Sequence, residues 1–162
     1  MNISIRDAAS EDMRAVHKLI TELAVFEKEP LAVKTSVADL EKDGFGAHPL
    51  FHCFVAEVNN QIVGIALVYP RYSTWNGPVV HLEDLIVTQS MRGKGIGAAL
   101  LRRVMEYGLA QGVRRIGWEV LDWNTPAIQF YENCGATLLE EWRVVQMDTK
   151  AMKNYLMSNE NF

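Results

Sequence analysis

A chain of 162 residues, 49% of them hydrophobic, suits one globular domain that buries its core without disulfides or a metal. A formal net charge of -4 provides no general field for a polyanion and argues against nucleic acid as a partner. Residues 1–7 lack a basic segment leading into an apolar one, and no apolar run nears the roughly 20 residues of a spanning helix, so the expectation is a soluble, cytoplasmic protein with no membrane partner.

Ile3 to Arg6 alternates as a short strand. Ser10 then offers a helix N-cap with Glu11 and Asp12 in the first turn, predicting a helix over about 11–27. Its Met13, Val16, Leu19, Ile20, Leu23 and Ala24 recur at three- and four-residue steps as one buried stripe, and Pro30 lies past its end. A second short helix begins within 35–40 and stops near 44–46, ahead of His48-Pro49. Residues 51–58 and 61–69, rich in β-formers and joined by Asn59-Asn60, predict an antiparallel hairpin. Residues 70–78 read as a loop carrying Trp75.

Residues 79–87 predict a strand interrupted by two acids, Glu83 and Asp84, and a helix runs from Gly97 to about Gln111. Beyond Gly112 come a strand over 114–121, a helix over 125–133 ended by Cys134-Gly135, and two terminal strands over 136–140 and 142–147. No repeat or linker divides the chain, so a single domain is expected over 1–157 with a short polar tail at 158–162. Cys53 and Cys134 make no C-x-x-C pair and read as structural. His17, His48, His52 and His81 lack paired ligand spacing, so no metal is expected; His81 shares strand parity with Glu83.

The predicted strands at 79–87 and 114–121 flank a helix, which makes the middle of the chain a β-α-β unit with Arg92-Gly93-Lys94-Gly95-Ile96-Gly97-Ala98 at its first turn. Glycines let backbone approach a ligand, and the unpaired N–H groups of a helix N-terminus favour phosphate. Arg92 and Lys94 add positive charge there, whereas a bland reading is a tight turn with solvated cations. Gly95 follows Lys94 where a Walker A loop would place the hydroxyl that binds magnesium. Gly93, Gly95 and Ala98 also satisfy a loose dinucleotide fingerprint, with Glu119 or Asp122 further on; the antiparallel hairpin ahead of the loop and the single parallel crossover disfavour that rival.

Gln89 to Ala98 fits the pattern R/Q-x-x-G-x-G/A, preceded by Leu82-Glu83-Asp84-Leu85-Ile86-Val87 and followed by Asn124-Thr125-Pro126-Ala127-Ile128-Gln129-Phe130-Tyr131. Together these resemble the GNAT family of N-acetyltransferases over nearly the whole chain. Glu22-Leu23-Ala24, Phe26-Glu27, Asp43-Gly44-Phe45-Gly46 and His48-Pro49 resemble its diamine acetyltransferases, which include spermidine/spermine acetyltransferase. Ser73-Thr74-Trp75 and Val120-Leu121-Asp122-Trp123-Asn124 look most like the thialysine branch, and the polyamine-specific branch carries an acid where Ser73 stands. The resemblance implies an α/β fold with a mixed central β-sheet flanked by helices, acetyl-CoA as co-substrate and a homodimer. The implied reaction is direct acetyl transfer to a primary amine of a small lysine-like or diamine substrate, without a covalent enzyme intermediate.

An alkylamine with a pKa near about 10.4 is almost wholly protonated at neutral pH, and the free base alone attacks a thioester. Glu83 is the expected base, acting through water, with Asp84 pointing to the other face; a buried acid there would have its pKa raised. One solvated and one ion-paired acid is the alternative. By the resemblance, Glu27 adds negative charge for a distal ammonium, and Tyr131 protonates the departing thiolate rather than packing as a core aromatic beside Phe130. Trp75 lines the amine's alkyl chain or covers the core. Backbone N–H groups from Leu85, Ile86 and Val87 would polarise the acetyl carbonyl, Arg92 to Ala98 would hold the pyrophosphate, and Asn124 would cap the following helix and touch CoA. Two other activities fit less well: a protein or peptide N-acetyltransferase, and a non-catalytic acyl-CoA sensor.

Overall fold

The computed structural model of the chain describes residues 2–158. Strands β1 (Ile3–Asp7), β2 (His52–Val58), β3 (Gln61–Ser73), β4 (Gly77–Val87) and β5 (Ile116–Gly117) form one sheet in that spatial order. The first three junctions are antiparallel and β4 to β5 is parallel, which is the expected mixed sheet. Asn59 and Asn60 close the β2–β3 hairpin at φ 51 and 61, a left-handed pair that asparagine tolerates and a two-residue turn requires.

Helix α1 (Met13–Phe26) buries Met13, Val16, Leu19 and Ala24 on the stripe read from sequence. Ile20 and Leu23 pack beside that stripe on a core that Cys53, Val55, Ile65, Leu67 and Ile86 contribute from the sheet. Helix α2 (Val37–Phe45) starts at a reciprocal cap: Ser36 Oγ accepts from Asp39 N–H at 3.1 Å, and the Asp39 carboxylate accepts from Ser36 N–H at 2.8 Å. Helix α3 (Ile96–Ala110) crosses between β4 and β5, burying Ile96, Leu100, Leu101 and Val104.

Four expectations are corrected. Ser10 does not cap α1; residues 10–12 make a 3-10 turn, because Asp12 accepts the Ala9 N–H at 2.7 Å and the Arg6 guanidinium at 2.6 Å. The expected loop at 70–78 is mostly strand, and only 74–76 turn. Pro70 faces Val80, whose own N–H turns to the carbonyl of Arg115 just ahead of β5, so the ladder asks no donor of Pro70; Pro78 lies in the same phase opposite Tyr72. The strand expected over 114–121 pairs at Ile116 and Gly117 alone. Segments 136–140 and 142–147 carry β-formers but meet no ladder partner among the described residues, and a strand without a partner has no hydrogen bonds to hold it.

Two compact units are described, one up to Leu121 and one from Asp122. The second unit holds the predicted helix α4 (Thr125–Asn133) and an unpredicted α5 (Thr149–Ser158), whose signal was Asp148, accepting from Ala151 N–H at 2.7 Å as a cap. Of the polar tail, positions 159–162 lie outside the described residues. No helix among the described residues is long and apolar enough to cross a membrane.

Candidate active site

Asp84 pairs with Leu67 and Leu82 with Val68, so Glu83 is one residue too many in β4 and forms a β-bulge. Because β3 alternates normally, Leu67 and Tyr69 share a face, and their partners Asp84 and His81 share it too. Glu83 lies between them on the same side: its carboxylate is 3.7 Å from His81 Nε2 and beside the Tyr69 phenol. The expectation that Asp84 and Glu83 point to opposite faces is therefore wrong, because strand alternation fails at a bulge.

The two acids differ in surroundings. Glu83 is half exposed, while Asp84 sits in the apolar row with Leu67 and Cys53. Burial, then the charges of Glu83 and Glu27, push the Asp84 carboxyl up to about 6. Glu27, at the C-cap of α1, is itself raised by burial. Three carboxylates from α1 and β4 are thus within electrostatic reach of one another, and burial holds the Tyr69 phenol protonated with Glu83 adding to it. On the same face the Cys53 thiol is pushed up to about 12 by burial, which makes it inert packing.

Among the described residues the other edge of β4 is open beyond His81, since β5 pairs only with Val80 and His81. Thr88 N–H bonds the Val63 carbonyl at 2.8 Å, which fixes the phase of the ladder. By alternation Ile86 and Asp84 bond inward to β3, while Leu85 and Val87 turn their N–H and C=O groups to the open edge. This corrects Ile86: its amide belongs to the sheet. The Val87 carbonyl accepts from Arg92 Nε at 2.9 Å, so among the described residues Leu85 N–H, Leu85 C=O and Val87 N–H remain without a protein partner.

From Val87 the chain makes a 3-10 turn over Gln89–Met91 and enters α3 through Gly93 and Gly95, at φ 73 and 80. The first amide after these with a protein acceptor is that of Ala99, on the Gly95 carbonyl at 3.0 Å. The N–H groups of Gly93 to Ala98 have no backbone or side-chain acceptor among the described residues, an arrangement suited to phosphate oxygens at the positive end of α3. Lys94 Nζ reaches the Ser90 carbonyl at 3.3 Å, and the Arg92 guanidinium lies 5.1 Å over the Phe26 ring. Both cations are tied to the loop rather than merely solvated.

Sequence reasoning missed Glu22, which accepts from Thr88 Oγ1 and Gln89 N–H at 2.9 Å each; no local pattern connects residues so far apart. Trp75 stands at the tip of the β3–β4 hairpin, 83% exposed, so it covers no core. From Gly77 to Glu83 the strand runs about 20 Å, which separates that tip from the acids. In the second unit Asn124 Oδ1 accepts from Ala127 N–H at 3.4 Å, the expected cap of α4. Tyr131 lies on that helix with its ring 5.3 Å from Phe130, and neither ring is fully buried. Cys134 ends the helix, exposed and free of a disulfide. Among the described residues no cluster of metal-ligating side chains occurs.

The acetyltransferase (GNAT) family pattern matches residues 13–136. A thialysine N-epsilon-acetyltransferase of Mus musculus is 39% identical over 160 residues, covering 92% of this chain and 94% of that one. Spermidine/spermine N(1)-acetyltransferase-like protein 1 of Homo sapiens is 37% identical over 91% of this chain, which spans 23% of that longer protein. Among solved structures, AAC(6')-Iy in complex with a CoA bisubstrate analogue has the same fold at a TM-score of 0.74, with 20% identity over 91% of this chain and 99% of that one. A mixed sheet opened beside β4, an amide-lined glycine loop and the family pattern across both agree: the chain belongs to the GNAT family of acetyltransferases.

Proposed function

We propose that this acetyltransferase moves acetyl from acetyl-CoA directly to a primary amine of a small lysine-like or diamine substrate. The observation that carries the amine is the clustering of Glu27, Glu83 and Asp84, a charge arrangement suited to an ammonium group and unsuited to an anion. The relatives named for thialysine and for spermidine/spermine support the same class. The glycine loop fits the pyrophosphate, since its amides are free and Arg92 and Lys94 hold positive charge beside them.

In this reading CoA supplies the acetyl group as an activated thioester, and the protein's residues do the rest. Glu83, half exposed at the bulge, takes a proton from the ammonium through water and frees the lone pair for attack on the carbonyl carbon. Asp84 and Glu27 hold the cationic substrate. Leu85 or Val87 N–H, turned to the open edge of β4, meets the negative charge that develops on the carbonyl oxygen. The Tyr131 phenol gives its proton to the departing sulfur and is restored by the second proton that nitrogen loses as the amide forms, while the proton taken by Glu83 passes to solvent. A cytoplasmic homodimer completes the proposal, to be checked by sedimentation.

The test is CoA thiol release with thialysine, lysine, spermidine, a short diamine and a lysine peptide in parallel. Small amines should be preferred. Preference for the peptide would overturn the small-amine reading in favour of protein acetylation, and CoA binding with no turnover on any amine would favour a sensor.

A further inference from the structure

The last turns of α1 hold both ends of the 3-10 turn that leads into the glycine loop. At the start, the Glu22 carboxylate accepts from Thr88 Oγ1 through Oε2 and from Gln89 N–H through Oε1, each at 2.9 Å. Thr88 stands before the 3-10 turn of Gln89–Met91, yet its hydroxyl does not cap that turn, because it is donated to Glu22. The first orphan amide of the turn, Gln89 N–H, meets the same carboxylate. A side chain distant in sequence therefore does what an N-cap residue ordinarily does. One helical turn further along α1, Phe26 lies beneath the Arg92 guanidinium, and Arg92 Nε bonds back to the Val87 carbonyl.

Between Arg92 and α3 the loop has little of its own to hold it. Gly93 and Gly95 bring no side chains, and both sit at positive φ, so the direction of the free amides is set by how the segment enters. A carboxylate is the side chain for this task because it alone offers two acceptors and no donor to a hydroxyl and an amide side by side. Its charge is the wrong sign for contact with a phosphate, which marks its partners as the protein's own groups.

We propose that Glu22 is a positioning residue for the phosphate-binding loop, holding Thr88 and Gln89 so that the amides of Gly93 to Ala98 converge on the CoA pyrophosphate; this rests on the acetyl-CoA reading above. The role predicts a loss confined to ligands that carry the pyrophosphate. Calorimetric titration of free CoA should show Kd raised about tenfold in Glu22→Ala and about threefold in Glu22→Gln, which keeps one acceptor. The KM for acetyl-CoA should rise in step, with kcat at saturation within about twofold of wild type, because the chemical step is untouched. Turnover of S-acetylpantetheine, the same thioester without the pyrophosphate, should not change. Should Glu22→Ala fail to fold, Thr88→Val removes one of the two bonds and should give about a threefold loss with the same ligand dependence.

Unchanged CoA affinity in Glu22→Ala would overturn the role. Equal losses with acetyl-CoA and S-acetylpantetheine would overturn it as well, since they mark general damage to the site. Failure of the wild-type protein to bind CoA would instead overturn the acetyl-CoA reading, and this inference with it.

Discussion

Asp84 stands opposite Leu67 in the β3–β4 ladder, a carboxylate in a row that Leu67 and Cys53 otherwise make apolar. Folding raises that carboxyl from 3.8 to about 6, so the folded chain binds its proton more tightly than the unfolded chain does. Stability is accordingly greatest below the unfolded pKa, falls as pH rises through the interval between the two, and stays low above the folded value. Asp84→Asn removes the buried charge. Its melting temperature should match wild type near pH 4 and exceed it by about 5 °C at pH 7. Thermal unfolding across that range checks this, and a difference that ignores pH would remove burial of the charge as the cause.

Glu83→Gln should lower kcat by about 100-fold or more at pH 7, with CoA affinity within twofold of wild type. A second signature follows from the amine. As pH approaches its pKa of about 10.4, more substrate arrives already deprotonated, and the deficit should shrink. Rates from pH 7 to 9.5 measure both, and a constant deficit would place the role of Glu83 elsewhere than proton removal.

Tyr131→Phe keeps the ring and removes the proton. The expected result is a kcat lowered about 100-fold with Kd for CoA unchanged, read by stopped assays and calorimetry together. Unaltered kcat would return Tyr131 to a packing role beside Phe130.

Gly95→Ala and Gly97→Ala should act in opposite directions on stability. Nothing lies within 4 Å of a Cβ at Gly95, so the cost there is the left-handed backbone, about 1–2 kcal/mol. At Gly97 the new methyl group would meet Val87 Cγ2 at 3.9 Å, an ordinary contact in right-handed helix, where alanine gains up to about 1 kcal/mol. Chemical denaturation of both variants checks the signs; equal losses would show that the left-handed residue is not what holds the loop.

The sequence exposed what short-range periodicity and turn chemistry control. The α1 stripe, the start of α2, the Asn59-Asn60 turn and the glycine loop each depend on residues within a few positions, and all are legible. Glu83 and Asp84 stand out because acids inside a strand demand a reason, but their facing is not legible, since a bulge depends on how β3 pairs with β4. Glu22 carries no local signal of its role, because its partners are brought to it by packing of α1 on the sheet. Segments 136–140 and 142–147 show the converse: β-forming composition is necessary for a strand, and a hydrogen-bonding neighbour is what completes it.

The bulge adds a carboxylate to this face of the sheet without disturbing the pairing on either side of it. Leu67 and Val68 are neighbours in β3, and their partners Asp84 and Leu82 would be neighbours in β4 but for the residue between them. Delete Glu83 and the ladder closes without a fault, Asp84 keeps its face, and the glycine loop keeps its entry from Val87. The shortened chain would be a sheet with its amide-lined loop intact and without the carboxylate beside His81 and Tyr69. In that sense the half-exposed carboxylate of this face has the form of a single inserted residue, accommodated by a sheet that would be more regular without it.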